Sequence, residues 1–168
     1  MKAIQIPYGK ETQTLHVADE QLQAVLTPRH PAAASLSQET LVRQALENPI
    51  GSLRLRELAR GKREILVITS DHTRPVPSRV TMPPLLAELR CGSPDAHIVI
   101  LIATGMHRPT TEAELRAKLG DAIVEREEIV VHQAEKTEEM AYFGLLPSGG
   151  ELWLNRLVAQ AEALGRHS

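Results

Sequence analysis

Two nearly continuous apolar runs constrain the fold of this chain more than any other feature of its sequence. They are ILVIT at 65–69 and IVILIA at 98–103, and the segment between them, SRVTMPPLLAELRCG, has helical spacing. Apolar runs of this length are typical of parallel strands covered on both faces, and parallel neighbours require a crossover connection such as a helix. The pattern predicts a right-handed β-α-β unit.

The crossover segment also carries its own start and stop signals. Pro83 and Pro84 are acceptable only near a helix start, so the helix is expected to begin shortly before them. Gly92 is expected to act as the C-terminal stop. Cys91 precedes it, and we expect a core thiol at the helix end.

Strands and helices continue to alternate after the second run. Thr111 and Glu114 match a capping box that begins a helix, Gly120 ends that helix, and EIVVHQ at 128–133 reads as a third strand. The sequence therefore predicts an α/β fold with a Rossmann-like, mainly parallel sheet and flanking helices, in a single domain spanning 1–168.

Shorter elements flank this centre. Alternation at 2–6 and 12–17 predicts an N-terminal β-hairpin, since turn residues lie between the two segments. The remaining expected elements are a helix capped by Ser35 or Ser37, a short helix at 52–60 ended by Gly61, and two strands around Pro147–Gly150 followed by a terminal helix.

Composition excludes several classes of partner. A net charge of −2 does not favour binding to nucleic acid or to an anionic membrane. With 2% aromatic residues, the chain also has few side chains on which the bases of single-stranded nucleic acid could stack. No apolar run approaches the roughly 20 residues of a membrane span. A single cysteine cannot form an internal disulfide or a zinc site, which favours the reducing cytoplasm.

Polar residues follow each of the two apolar runs, where consecutive parallel strands present their carboxyl ends on one edge of a sheet. Ligands of open α/β sheets bind at that edge. Two groups of polar residues are therefore expected to share one crevice: Asp71, His72, Thr73 and Arg74 after the first strand, and Thr104, Gly105, His107 and Arg108 after the second.

These residue types indicate anion binding and proton transfer. Arg74 offers a planar fork of donors for a carboxylate or phosphate on a loop stiffened by prolines. His107 titrates near neutral pH and can take and return a proton. Asp71 could orient a histidine or bind a hydroxyl group, and Gly105 allows close approach of the backbone to a ligand.

Each assignment has an alternative. Asp71 could only form an Asx turn, Arg74 could be a solvated charge, and a histidine after a strand is commonly structural. His132 lies within the third predicted strand and could point toward the crevice. The remaining histidines are expected to be ordinary strand, loop or tail residues: His16, His30, His97 and His167.

Motifs of other enzyme classes are missing from the sequence. It contains no phosphate-binding G-x-x-x-x-G-K-[ST] loop, no G-x-G-x-x-G turn, no H-E-x-x-H pair and no G-x-S-x-G elbow. No metal-ligand set is predicted from the spacing of its residues.

The two loops resemble those of the lactate racemase family in its N-terminal domain. SDHTRPVPS is similar to the family's D-x-T-R-P motif, and ATGMHRPTTEAEL is similar to its T-G-x-H-R segment opening a helix. YFGLLPSGGELWLNRLVAQA is similar to a later stretch of that domain. The resemblance runs from about residue 1 to about residue 163.

This resemblance implies a racemase or epimerase of 2-hydroxy acids, an isomerase that uses the nickel-pincer nucleotide (nickel pyridinium dithiocarboxylate mononucleotide). His107 would be one of two acid/base histidines. The stretch Asp71, His72, Thr73 and Arg74 would line the cofactor and substrate pocket, with Arg74 as partner of the substrate carboxylate.

The resemblance also implies that the domain is incomplete at its C-terminal end. The family's second histidine, its cofactor-tethering lysine and its nickel-binding histidine are expected after NRLVAQA and have no matching positions here. We therefore expect no full activity from the chain alone. The alternatives are a non-catalytic module that binds a small anion, or one subunit of a split enzyme with a separately encoded C-terminal half.

Overall fold

The N-terminal hairpin forms a unit of its own. The structure is a computed structural model that describes residues 1–27 and 36–161, and its backbone contacts divide the chain into Met1–Ser35 and Leu36–Ser168. In the first unit, β1 (Lys2–Tyr8) pairs antiparallel with β2 (Glu11–Val17). This confirms the predicted hairpin, while the assignment of a single domain to 1–168 stays a prediction.

A three-stranded parallel sheet forms the centre of the second unit. Its strands are β3 (Glu64–Ser70), β4 (His97–Ala103) and β5 (Glu128–Val131), in the order β3-β4-β5. The middle strand β4 is the most buried, because helices cover one sheet face and part of the other. The predicted α/β fold with a mainly parallel sheet is confirmed.

Helices connect these strands, and a second hairpin follows them. Ser37 caps the first helix by accepting a hydrogen bond from the backbone N–H of Thr40, whereas the alternative cap, Ser35, lies outside the described residues. The remaining elements of this unit are α1 (Gln38–Glu47), α2 (Leu55–Leu58), α3 (Ser78–Gly92), α4 (Glu112–Leu119), α5 (Asp121–Arg126), β6 (Met140–Leu145), β7 (Glu151–Asn155) and α6 (Arg156–Gln160).

The two faces of the sheet are covered unequally. On one face, side chains of α3, α4 and α5 form the main core with alternate residues of β3 and β4, including Ile98, Ile100 and Ile102. On the other face a smaller cluster, Leu66, Val99 and Leu101, packs against α6. Ile68 belongs to this second face by strand alternation, yet it is 47% exposed. The second face is therefore open toward the carboxyl ends of the strands.

One expectation for α3 is wrong and one is confirmed. Pro83 and Pro84 lie inside the helix rather than near its start, because Met82, Leu86 and Leu89 are buried in the core and hold the helix in place. The helix does end at Gly92, although this glycine is not in the left-handed conformation. A Cβ at Gly92 would lie 2.1 Å from the carbonyl oxygen of Arg56, so glycine allows α2 to approach α3 closely.

Several boundaries also differ from those expected. The helix expected at 52–60 is only Leu55–Leu58, and the third strand ends at Val131 instead of residue 133. The short helix α5 was not predicted. Gly120, with φ at +89°, both ends α4 and precedes α5, so the second helix begins directly after the first. Cys91 is exposed, so the expectation of a core thiol is wrong. Among the described residues, no helix is long and apolar enough to cross a membrane.

Candidate functional site

The carboxyl edge of the parallel sheet brings the two polar loops together. The loops after β3 and β4 line a cavity of about 590 Å³ that contains both Arg74 and His107. The expectation that these two residues lie on the same edge is therefore confirmed. The cavity is lined by Ile68, Thr69, Ser70, Asp71, Arg74, Ala103, Thr104, Gly105, Met106 and His107.

Asp71 is the buried centre of this edge, with only 1% of its surface exposed. Its Oδ1 accepts hydrogen bonds from the backbone N–H and the hydroxyl of Thr73, at 3.1 and 2.7 Å, and its Oδ2 lies 2.6 Å from Nδ1 of His107. The bond from the Thr73 N–H is that of an Asx turn. Asp71 therefore forms the turn and orients a histidine, which the sequence left as alternatives.

The hydrogen bonds to Asp71 determine its charge. Burial raises the pKa of the carboxyl group, but the hydrogen bonds from Thr73 and His107 outweigh burial and lower the pKa to about 2. The group is thus ionised at neutral pH. Because a carboxylate only accepts hydrogen bonds, Nδ1 of His107 must carry the proton in this contact.

His107 consequently has one occupied nitrogen and one available nitrogen. Its side chain is 44% exposed, and Nε2 forms no hydrogen bond within the part of the chain that the structure describes. In the neutral ring, a proton on Nδ1 leaves the lone pair on Nε2. The arrangement can therefore accept a proton at Nε2 while Asp71 stabilises the resulting positive charge.

Thr73 and His72 take different places around this pair. The Thr73 hydroxyl lies 2.7 Å from Asp71 and 3.3 Å from Nδ1 of His107, so it touches both members. His72 does not line the cavity of the pair. Its Nδ1 lies 3.1 Å from the hydroxyl of buried Thr110, and its ring borders a second cavity of about 320 Å³.

Arg74 lies between the two cavities and lines both of them. It is exposed, and its guanidinium forms neither an ion pair nor a hydrogen bond with the residues that are described. Its backbone N–H donates to the carbonyl of Asp71 at 3.4 Å, which closes the turn. An unpaired fork of donors beside a cavity is suited to a carboxylate or phosphate ligand.

Lys118 is a nearby cation that sequence reasoning missed. It lies on α4, with Nζ at 3.4 Å from the Ser70 hydroxyl and 3.5 Å from the carbonyl oxygen of Arg74. Burial lowers its pKa, although the charge of Asp71 partly opposes that effect. Only the packing of α4 beside the first loop reveals this residue, since nothing in its sequence context distinguishes it.

Arg108, Gly105 and His132 support the edge in other ways. Arg108 forms a two-pronged ion pair with Glu114, at 2.9 and 2.6 Å, so its charge is already neutralised. Gly105 has φ at +58° in the tight turn before His107. The expected position of His132 within the strand is wrong, since it follows β5, and Nδ1 of its ring lies 3.4 Å from the side-chain amide of Asn155.

The described residues contain no group of three or more histidine, cysteine, aspartate or glutamate side chains that could hold a metal ion. His30 and His167 lie outside this part of the chain. His16 lies on the exposed part of β2, while His97 begins β4 and pairs with two carboxylates, Glu64 and Glu128.

Comparison with known proteins identifies the family to which the chain belongs. Residues 8–164 match the family described as the lactate racemase N-terminal domain. Two curated relatives, both named lactate racemase, come from Thermoanaerobacterium thermosaccharolyticum and Lactiplantibacillus plantarum. They are 48% and 47% identical to the chain over 165 residues, which is 98% of this chain.

Solved structures give the same result. The lactate racemase apoprotein from T. thermosaccharolyticum matches with a TM-score of 0.86 over 96% of this chain and 37% of that chain. A Thermotoga maritima protein, 22% identical, shares the fold with a TM-score of 0.51 over 72% of this chain and 30% of its own. This chain spans 39% of the length of each curated relative. The chain belongs to the lactate racemase N-terminal domain family.

Proposed function

We propose that this chain supplies the proton-transfer and anion-binding part of a 2-hydroxy-acid racemase or epimerase of the lactate type. The observation that carries the proposal is the 2.6 Å contact between buried Asp71 and His107, beside a cavity that also contains Arg74. The family assignment supports this class of reaction, and the geometry supports the role that we propose for each residue.

His107 acts as the acid/base group in this proposal. Asp71 holds the proton on Nδ1, so that Nε2 takes the proton of the substrate hydroxyl group and later returns it. The carboxylate of Asp71 stabilises the imidazolium that forms, and Thr73 fixes the carboxylate in its turn. The proton balance closes within one turnover, because the same nitrogen accepts and donates.

Arg74 binds the carboxylate of the 2-hydroxy acid. Its guanidinium has no competing carboxylate among the described residues, and its loop is held by the turn that Asp71 forms. Lys118 adds positive charge beside the same loop. A monoanionic substrate fits this charge distribution better than a neutral one.

The cavity also suits part of the cofactor that the family implies. Ile68, Ala103 and Met106 give it an apolar side, and Arg74 gives it a cation, which together fit a flat, anionic nucleotide. When bound, the nickel-pincer nucleotide would supply reversible hydride acceptance, so that the hydride leaving the α-carbon of the substrate would return to it within one turnover. In our proposal Asp71, Thr73 and Arg74 border the bound nucleotide. His72 stabilises their loop through its contact with Thr110. The nickel ligand would come from a part of the family fold that these residues do not include.

The remainder of the family fold is also part of the proposal. The chain spans 39% of the length of its racemase relatives, and we propose that racemisation needs the part of the family fold that these 168 residues do not include. The isolated chain then binds small anions without racemising them. Racemisation of lactate by the isolated chain with the cofactor supplied would contradict this part.

Anion binding by the isolated chain tests the proposal most directly. A charge-assisted hydrogen bond contributes about 1.5–3 kcal/mol, so Arg74→Ala should weaken binding of lactate roughly ten-fold to a hundred-fold. His107→Gln should weaken it less, since its role is proton transfer. Isothermal titration calorimetry with lactate and malate on each variant measures the effect.

Two controls complete this experiment. Arg60→Ala removes an exposed arginine remote from the carboxyl edge and should leave affinity unchanged. Lactamide, the neutral analogue of lactate, should not bind. Equal lactate affinities in the parent and Arg74→Ala would show that this loop is not the anion site.

A further inference from the structure

Glu114 connects more of the candidate site than its capping role requires. Its Oε2 accepts from the backbone N–H and the hydroxyl of Thr111, each at 2.9 Å, which completes the predicted capping box. The same carboxylate receives both prongs of Arg108, at 2.9 and 2.6 Å. Its Oε1 also lies 3.9 Å from Nε2 of His72.

Each of these partners is a chain neighbour of a residue of the site. Arg108 directly follows His107, His72 directly follows Asp71, and Thr111 follows Thr110, which contacts the ring of His72. We propose that Glu114 is a positioning residue that fixes the two loops relative to each other, so that Asp71 meets Nδ1 of His107. The proposal rests on the proposed role of this pair.

The loop that carries His107 needs such a support. Met106 is 83% exposed, Gly105 adopts φ at +58°, and the His107 side chain is itself 44% exposed. Within the loop, the backbone N–H of His107 donates to the carbonyl of Thr104 at 3.0 Å. A two-pronged arginine–carboxylate pair restricts orientation as well as distance, which a single turn hydrogen bond does not.

Capping uses one oxygen of the carboxylate, whereas positioning uses both. Oε2 accepts the two capping hydrogen bonds and one prong of Arg108, and Oε1 accepts the other prong and faces His72. The hydrogen bonds from Arg108 are the largest cause of the lowered pKa of Glu114, so the carboxylate stays ionised across the neutral range. A cap alone would need neither the second oxygen nor the charge.

Glu114→Gln separates the two roles. Glutamine keeps one oxygen for the cap but cannot accept both prongs of Arg108. The readout is the ¹⁵N shift of the two ring nitrogens of His107 in the labelled chain, at a pH where the ring is neutral. In the parent we expect protonated Nδ1 and bare Nε2. In Glu114→Gln the difference between the two shifts should shrink as the ring samples both tautomers.

Two matched variants provide the controls. Thr111→Ala removes the cap but keeps the pair between Arg108 and Glu114, so it should lower the melting temperature without changing the His107 shifts. Glu112→Gln removes a carboxylate of the same helical turn, whose ion-pair partner among residues 1–27 and 36–161 is Arg116, and it should also leave the shifts unchanged. Arg108→Gln removes the other member of the same ion pair, so it should change the His107 shifts in the same way as Glu114→Gln.

Unchanged His107 shifts in Glu114→Gln would overturn the proposal, as would an equal change in Thr111→Ala. The measurement needs neither substrate nor cofactor. The two tests are therefore independent. Unchanged lactate affinity in Arg74→Ala would not contradict the role of Glu114, and unchanged His107 shifts in Glu114→Gln would not contradict anion binding by Arg74.

Discussion

The parallel sheet has a histidine at each end, and both contact carboxylates in different ways. At the carboxyl edge, His107 contacts one buried carboxylate, Asp71, through Nδ1 and keeps Nε2 available beside a cavity. At the amino edge, both nitrogens of His97 lie 2.8 Å from carboxylates, Glu64 through Nδ1 and Glu128 through Nε2. The first ring can transfer a proton, whereas the second has both nitrogens occupied.

The amino-edge cluster links all three strands of the sheet. Glu64 begins β3, His97 begins β4 and Glu128 begins β5. The hydrogen bond to Glu64 and then that to Glu128 raise the pKa of His97, since two acceptor oxygens favour the doubly protonated ring. All three side chains are about half exposed. Solvent screening therefore keeps the stabilisation small.

The two clusters differ in burial of the carboxylate, which we propose is what separates the acid/base pair from the structural one. Asp71 is shielded from water and must be satisfied by specific donors, which fixes the His107 ring. Glu64 and Glu128 can exchange His97 for water at little cost. The following predictions test this contrast.

Removal of the buried charge should have the largest effect. Asp71→Asn leaves His107 without a fixed tautomer and without a partner for its positive charge. We expect a loss of about 10²- to 10⁴-fold in the racemisation rate, the usual contribution of general acid–base catalysis. The assay is lactate racemisation by this chain combined with the proposed nickel-pincer nucleotide and with a polypeptide that supplies the rest of the family fold.

Glu128→Gln is the matched control at the amino edge and should leave that rate unchanged. An equal loss of rate in both variants would mean that the two edges do not differ in function.

Backbone strain should affect ligand binding at the carboxyl edge alone, although it should lower stability at both edges. Gly105 and Gly61 have φ at +58° and +72°, and a Cβ would contact nothing within 4 Å at either position. Alanine should therefore cost each variant about 1–2 kcal/mol of unfolding free energy through backbone strain. Only Gly105→Ala should also weaken lactate binding, because it shifts the loop of His107. Urea unfolding and calorimetry measure the two effects, and weaker binding in Gly61→Ala would argue against a local cause.

The smallest expected effect is a pH dependence at the amino edge. His97 has a raised pKa in the folded chain, so its stabilisation is present below the unfolded value of about 6.5 and disappears as pH rises through the folded value. His97→Gln should lower the unfolding free energy by less than about 1 kcal/mol at pH 5.5, because the cluster is half exposed. It should have no effect at pH 9.

Urea unfolding of the parent and His97→Gln at both pH values measures this difference. If the difference in unfolding free energy between the parent and His97→Gln were larger at pH 9 than at pH 5.5, the charged His97 ring would not be the stabilising form.

Sequence reasoning found the central parts of the fold and the positions of the two loops. The apolar runs predicted β3 and β4, and Thr111 with Glu114 predicted the start of α4 correctly. It failed where an answer depended on packing between elements. Gly92 was correctly predicted to end α3, but its sequence context does not show that α2 approaches it, and Lys118 was missed for the same reason.

Periodicity and local hydrogen bonding determined what the sequence by itself could specify: the strands, most helices, the caps and the edge on which the polar loops lie. These features depend on residues within a few positions of one another. Tertiary structure alone decided that Asp71 contacts His107 and not His72, that Arg108 is occupied by Glu114, and that the Arg74 guanidinium has no ion-pair partner among the described residues. Such contacts join residues up to 36 positions apart, and a sequence pattern of short range does not specify their distances or their burial.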